Sequence, residues 1–492
     1  MNIKYIWLLI ILLGLTACND IEDVSREEAK VILPELTAGS ANFTTYVAVG
    51  ASFTAGYTDN ALFKASQENA YPNILSQQFA KIGGGIFTQP LMNDNFGGIA
   101  LGGVQLPGFG PRLVFGGSGP VPLESVIGPV VSTTDLAVNN LTGPFNNMGV
   151  PGAKSFHLLF NGYGNPTNLA TKTANPYFIR MASSESATVL GDAMLKSPTF
   201  FTLSEMGGND VLGYAVSGGD DTNPITPSAG AVGVGFDATF NFLVTTLTSQ
   251  GAKGVVTNVP YITDLPHFTT VPYNPLPLDA STATQLNNAY AQYNGGIQYA
   301  LSQGDIDANE AAARTINFTA SATNTMVLID EDLTDLSGYS LPNYRQSTVH
   351  DLFVLPLSSL IPQGYGTQVP LADKWVLIPS EQAAIKDAID AYNTTIAATA
   401  DANPNIVLVD LNGILTQLAS TGIPFDDYTM NAKLVTGGAI GLDGIHLTAR
   451  GYAYLSNKFL EAIDTAFGSN FIASGNVAKA GNYPTNYAPN LN

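Results

Sequence analysis

The sequence predicts an α/β domain, a mostly parallel sheet with helices on both faces. Two observations carry this. Short, largely apolar runs near residues 46–49, 199–203, 254–259 and 406–409 have the composition of strands buried on both sides, not the alternation of a half-exposed sheet. Between and after the later runs, apolar residues recur every three or four positions, the spacing of a helix with one buried face. Strands alternating with helices imply parallel crossover units.

The chain begins outside that domain. Met1-Asn2-Ile3-Lys4 is a short, weakly basic start, and the apolar run from Tyr5 to Leu13 is too short to span a bilayer comfortably. Leu15-Thr16-Ala17 then precedes Cys18 as a cleavage site requires. A cysteine in that place resembles a bacterial lipobox, in which the thiol is acylated and the preceding peptide, here residues 1–17, is removed. An ordinary signal peptide with an incidental cysteine is the competing reading. Cys18 is the only cysteine among 492 residues, so no thiol remains for a disulfide, a metal or a nucleophile. The expectation is a protein held in the bacterial cell envelope, at the outer membrane, by lipid on Cys18 and a tether of residues 18–42. Asp20, Glu22 and Asp23 resemble a surface-export signal and suit a solvated tether equally well.

The domain then runs from 43 to 470. Tyr46-Val47-Ala48-Val49 is the first strand, and residues 199–203 form another that leads straight into Gly207-Gly208-Asn209-Asp210. Phe236, Phe240, Leu243, Val244 and Leu247 mark one face of a helix that ends at Gly251. The strand at 254–259 is stopped by Pro260. A helix from near Ser380 through Ile385, Ile389, Tyr392 and Ile396 precedes the strand at 406–410. Thr448 is the expected cap of a final helix that buries Tyr452, Leu455, Phe459 and Ile463. Two stretches exceed a minimal domain: about 83–145, rich in Gly, Pro and Asn, and about 303–375, with one strand candidate at 326–329. Loops of this length are usually functional or disordered, and their aromatic and apolar content points to packed lids. Residues 471–492 read as a C-terminal tail.

A formal net charge of −20 argues against a nucleic-acid partner, whose phosphates need a basic footprint. It also argues against adsorption onto anionic headgroups. No cluster of His, Asp or Glu has ligand spacing, so the sequence implies neither metal nor cofactor.

Four short segments carry chemistry. Gly50-Ala51-Ser52-Phe53-Thr54-Ala55-Gly56 places a serine just past a buried strand, with small residues that let the chain turn. A serine hydroxyl needs a base to take its proton. Of the four histidines, His157 and His267 sit among apolar neighbours, as packing or surface residues do, and His350 lies in the irregular insertion. His446 has a carboxylate, Asp443, at a spacing one tight turn can use to fix the imidazole tautomer. Gly152, in Met148-Gly149-Val150-Pro151-Gly152-Ala153, offers an N–H that a ligand can approach closely. Asn209 offers a side-chain amide at a strand end. Together with the Ser52 N–H they could hold a developing oxyanion. Each alone is also explained by turn chemistry.

The set Ser52, Gly152, Asn209 and His446 resembles the SGNH, or GDSL-type, hydrolases, named for those four residues. The likeness covers about 45–75, 146–155, 199–268 and 381–467, and neither insertion. It implies a flavodoxin-like three-layer α/β/α sandwich of serine esterases and lipases. By the same resemblance Ser52 is the nucleophile, His446 the base and Asp443 its orienting acid, with Ser52, Gly152 and Asn209 forming the oxyanion hole. The family's first block is usually Gly-Asp-Ser, whereas Ala51 stands here in place of the Asp. That removes a side chain able to order the serine loop. The expected function is hydrolysis of carboxylic esters, of small molecules, lipids or acylated glycans. A carbohydrate O-acetyl esterase and a non-catalytic binding lipoprotein are the alternatives.

Overall fold

A computed structural model describes residues 32–138, 140–220 and 222–491. Cys18, the signal peptide and most of the tether lie outside the described residues. Five strands form the central sheet: β1 (Tyr46–Gly50), β2 (Asn147–Gly149), β3 (Phe200–Ser204), β4 (Lys253–Thr257) and β5 (Ile406–Val409). Their spatial order is β5-β4-β3-β1-β2, and every pairing is parallel. All five residues of both β1 and β3 are buried, so the sheet is covered on both faces, as their largely apolar sequences predict. The α/β class with a parallel sheet is therefore the architecture of this chain.

Register places the functional loops. Gly50 is level with Gly149 of β2 and with Ser204 of β3. The segments leaving these three strands therefore emerge side by side. Connections run to opposite sides of β1, and such a reversal opens a crevice at the carboxyl ends of the strands.

The helices that matter here are α1 (Ser52–Ala55), α2 (Tyr71–Phe79), α3 (Val189–Leu195), α4 (Gly208–Val216), α5 (Phe236–Thr248), α6 (Ala280–Gln303), α7 (Pro379–Ala402), α8 (Leu411–Ser420) and α9 (Ala449–Phe467). α2 packs on α9, α4 and α5 pack on α7, and both α7 and α9 reach β4 and β5. Tyr71 stacks on Phe459 at 4.8 Å, and Phe236 on Tyr392 at 4.2 Å. α9 follows its sequence pattern: the Thr448 hydroxyl accepts the Gly451 N–H at 3.0 Å, and Tyr452, Leu455, Phe459 and Ile463 are buried. That cap contributes about 0.5–2 kcal/mol.

A second buried cluster gathers residues between Val271 and Ile378 around α6. It begins some thirty residues before the insertion read from sequence at about 303 (roughly one long helix). The sequence reading did not single out α6, because its seam mixes Ala283, Leu286, Tyr290, Tyr293, Ile297 and Ala300 with Asn and Gln, and Gly295-Gly296 interrupts it. Packing overrides the poor helix propensity of that pair. Both ends of the described chain are also tied to the domain. The Phe467 carbonyl accepts the Ser40 N–H at 2.7 Å, and the Arg112 guanidinium donates to the Ala488 carbonyl at 2.6 Å. No described helix is long and apolar enough to cross a membrane.

Candidate active site

β1 delivers the serine. After Gly50 the backbone leaves the strand at Ala51, and α1 starts at Ser52, which is 7% exposed. The first N–H groups of any helix lack helical acceptors. Here Glu205, the residue after β3, provides one: its Oε1 accepts the Phe53 N–H at 2.8 Å and the Thr54 N–H at 3.3 Å. Glu205 holds φ of +57°, a left-handed conformation that costs about 1–3 kcal/mol in a non-glycine residue. Burial pushes its carboxyl up to about 8, against the lowering effect of the α1 N–H groups. Among the described residues its other oxygen, Oε2, is buried without a hydrogen-bond partner. Ala51 removes one means of ordering the serine loop, and Glu205 orders that loop from the neighbouring strand. The sequence reading missed Glu205, since nothing local distinguishes a lone acid after a strand.

β2 and β3 deliver the donors. Gly152 has φ of +80°, which glycine alone adopts freely, and a Cβ there would meet nothing closer than Asn175 Nδ2 at 3.9 Å. Asn209 stands in the first turn of α4 and uses one of its two amide N–H groups on the Ala153 carbonyl at 3.0 Å. The next residue, Asp210, accepts from the Ser155 N–H at 2.9 Å and the Ser155 hydroxyl at 2.7 Å. These bonds lock the loop after β2 to the turn after β3. Burial raises the Asp210 pKa, with Ser155 opposing the shift.

The loop before α9 delivers the acid and base. His446 Nδ1 lies 2.8 Å from Asp443 Oδ2. The same carboxylate accepts N–H bonds from Asn60 at 2.9 Å, Ile445 at 2.8 Å and His446 at 2.9 Å. Burial alone would raise the Asp443 pKa, but His446 and these donors hold it well below the usual carboxylate range. The Tyr57 ring lies 4.6 Å from the His446 ring and limits its motion.

Ser52, Gly152, Asn209, Asp443 and His446 all border one cavity, the more polar of two at the serine, together with His267 and Phe109. The five residues singled out in the sequence are thus brought together from four separate segments. Cys18 lies outside the described residues. His267, read from sequence as a packing or surface residue, packs on Phe268 and also borders the cavity, with Nδ1 3.2 Å from the Asp443 carbonyl. Burial lowers its pKa. His157 stacks on Tyr163 away from the cavity, and burial brings its pKa down to about 4.

A second, apolar cavity also borders Ser52 and Asn209. Leu411, Ile414, Leu415, Leu418, Met430 and Leu455 form much of its wall. The serine therefore stands where a polar opening meets an apolar channel. Neither long insertion lines that channel, although Gly108 and Phe109 of the first one border the polar cavity.

Scans against protein-family models, curated proteins and solved structures each return no match.

Proposed function

We propose that this chain is a serine hydrolase of carboxylic esters with a flavodoxin-like, SGNH-type α/β/α fold. The observation that carries the reading is the Asp443–His446 pair, bonded at 2.8 Å and sharing a cavity with Ser52, Gly152 and Asn209. The strand order, 2-1-3-4-5 in chain numbering, supports the fold assignment, because flavodoxin-like sheets have that order and bind ligands where it reverses.

The reaction would follow acyl-transfer chemistry. Asp443 accepts the Nδ1 proton of His446, so Nε2 is the free base. It takes the Ser52 proton as Oγ attacks the ester carbonyl. The N–H groups of Ser52 and Gly152 and the Asn209 amide stabilise the tetrahedral oxyanion. His446 then protonates the leaving alcohol, an acyl-Ser52 ester remains, and His446 activates water to release the acid. The apolar channel at Ser52 favours an ester with an apolar acyl chain over acetylated glycan. Lipid on Cys18 would hold the enzyme in the bacterial envelope.

The direct test is labelling with a fluorophosphonate, which reacts only with an activated serine. Wild type should be labelled and Ser52→Ala should not. Equal labelling of both proteins removes Ser52 from the mechanism.

A further inference from the structure

The ring of His267 plays no part in the chemistry proposed above. It belongs to the short helix Pro266–Thr269, beside the loop that carries the acid and base. The His267 backbone N–H donates to the Gly444 carbonyl at 3.0 Å, and its Nδ1 lies 3.2 Å from the Asp443 carbonyl. A carbonyl oxygen can only accept, so Nδ1 carries the ring proton and Nε2 is left as a lone pair. Burial favours the neutral ring by lowering its pKa. The His267 tautomer is therefore set by the same turn that holds the Asp443–His446 pair.

Nε2 meets no protein donor among the described residues, and the ring borders the cavity shared by Ser52 and His446. The Asn175 amide on the same cavity is already committed. Its Nδ2 donates to the Pro151 carbonyl at 2.8 Å and to the Tyr163 hydroxyl at 3.0 Å, and its Oδ1 accepts the Tyr177 N–H at 2.9 Å. The Asp443 carboxylate is likewise taken up by His446 and three backbone N–H groups. His267 thus offers an uncharged acceptor of fixed tautomer beside the reacting groups. A hydroxyl matches such an acceptor, whereas an ionised carboxylate has no proton to give. The formal charge of −20 also disfavours an anionic leaving group.

The two cavities at Ser52 divide the ester between them. A general acid must reach the leaving oxygen, so the alcohol lies on the His446 side. His446 borders the more polar cavity and not the apolar channel, which leaves the channel to the acyl chain. At about 340 Å³ the alcohol cavity is at the small end of ligand sites. We propose that His267 reads the alcohol half of the ester, its Nε2 accepting a hydrogen bond from a free hydroxyl of a small polyol. This rests on the esterase reading and names a substrate class for it: an apolar acid esterified to an alcohol that keeps a hydroxyl. Bond breaking is unchanged, since the ester C–O bond cleaves and His446 delivers the proton to the departing oxygen. An ester of a plain alkyl alcohol would fill the same cavity with Nε2 desolvated and unpaired, which is unfavourable.

The test measures kcat/KM on the full chain. The better of two polyol esters, glycerol monooctanoate or octanoylglucose, is compared with its fully methylated ether and with propyl octanoate. Which polyol is better identifies glycerol or a sugar as the source of the hydroxyl. The ether keeps the electron-withdrawing oxygens but has no hydroxyl to donate, and the propyl ester has no second oxygen on its alcohol. Wild type should favour the polyol ester over both by about tenfold or more, the effect of leaving one buried acceptor unpaired. In His267→Asn the amide takes the place of Nδ1 and nothing takes that of Nε2, so the preference should fall to within about threefold of unity. In His267→Gln the amide oxygen takes the place of Nε2, and the preference should survive. Because the readout is a ratio, a general loss from disturbing Asp443 cancels. The inference is overturned if wild type hydrolyses the propyl ester or the ether as fast as the polyol ester, a comparison that needs no variant to fold. It is equally overturned if folded His267→Asn keeps the wild-type preference. If none of these esters is hydrolysed it also fails, and fluorophosphonate labelling of Ser52 then decides whether the esterase reading fails with it.

Discussion

The Glu205 carboxylate accepts the Phe53 N–H at 2.8 Å, which couples the residue after β3 to the residue after the candidate nucleophile. Two strands of the sheet thereby set one loop. Glu205 touches no reacting atom in the proposed chemistry and acts through the backbone of α1. A displacement of about 1 Å at a reacting atom can cost 10²-fold in rate. Glu205→Ala should therefore lower kcat by about 10- to 100-fold with little change in KM. Glu205→Gln keeps an acceptor for Phe53 and should recover most of that loss. Equal losses in both variants would mean that the hydrogen bond to Phe53 does not set the rate.

The same residue gives a pH signature. Its folded pKa of about 8 lies above the ordinary glutamate value, so folding retains a proton that the unfolded chain releases. The stability contribution is complete below the ordinary glutamate pKa and is lost as pH rises through about 8. Chemical denaturation from pH 5 to 9 should show wild type weakening over that window. Glu205→Gln should flatten the slope. An unchanged slope in the variant would assign the effect to other groups, such as Asp59, whose carboxyl burial pushes up to about 7.

Asp443 makes the opposite case. Its depressed pKa means that its contribution to stability is present above the ordinary carboxylate value and lost only as pH falls through its lowered folded value. Asp443→Asn should permit the wrong His446 tautomer and reduce kcat by about 10⁴-fold. Burst kinetics with an aryl ester would locate the loss in acylation. A variant within tenfold of wild type would exclude Asp443 as the orienting acid.

Much of this was legible in the sequence because it is local. The buried strands β1, β3, β4 and β5, the Thr448 cap and the Asp443-x-x-His446 pair are each written in contiguous residues. β2 is a three-residue strand of Asn147, Met148 and Gly149, held by pairing with β1 and not by propensity. α6 is stabilised by its own cluster. Glu205 became visible only when β3 was set beside β1. Contacts between distant segments leave no periodicity to read.

Asn209 separates a working site from a relic. Its amide already donates to the Ala153 carbonyl at 3.0 Å, so a structural role alone predicts that Asn209→Ala lowers stability by about 1 kcal/mol and leaves activity per folded molecule unchanged. A preorganised oxyanion donor predicts instead a fall of about 10²- to 10³-fold in kcat with KM nearly constant. Melting temperature and turnover measured on one preparation distinguish the two. A stability loss with full turnover would remove Asn209 from the oxyanion hole.

The apolar channel at Ser52 makes the acyl preference testable. Each methylene that enters it should contribute about 0.8 kcal/mol, or roughly fourfold in kcat/KM, until the channel is full. A series of p-nitrophenyl esters from acetyl to dodecanoyl should therefore rise and then level. Ile414 lies on the wall formed by α8 and is not part of the site that binds the reacting carbonyl. Ile414→Trp should fill the channel and cost about 1–3 kcal/mol of stability through overpacking. It should cut kcat/KM for octanoyl esters by about tenfold or more, since several methylenes lose their place, while leaving acetyl esters close to wild type. An equal fall for both esters would show that the substitution disturbs Ser52 itself. A flat wild-type series would show that the acyl chain lies elsewhere, leaving the polar cavity as the binding site and short or glycan-borne acyl groups as the better substrates.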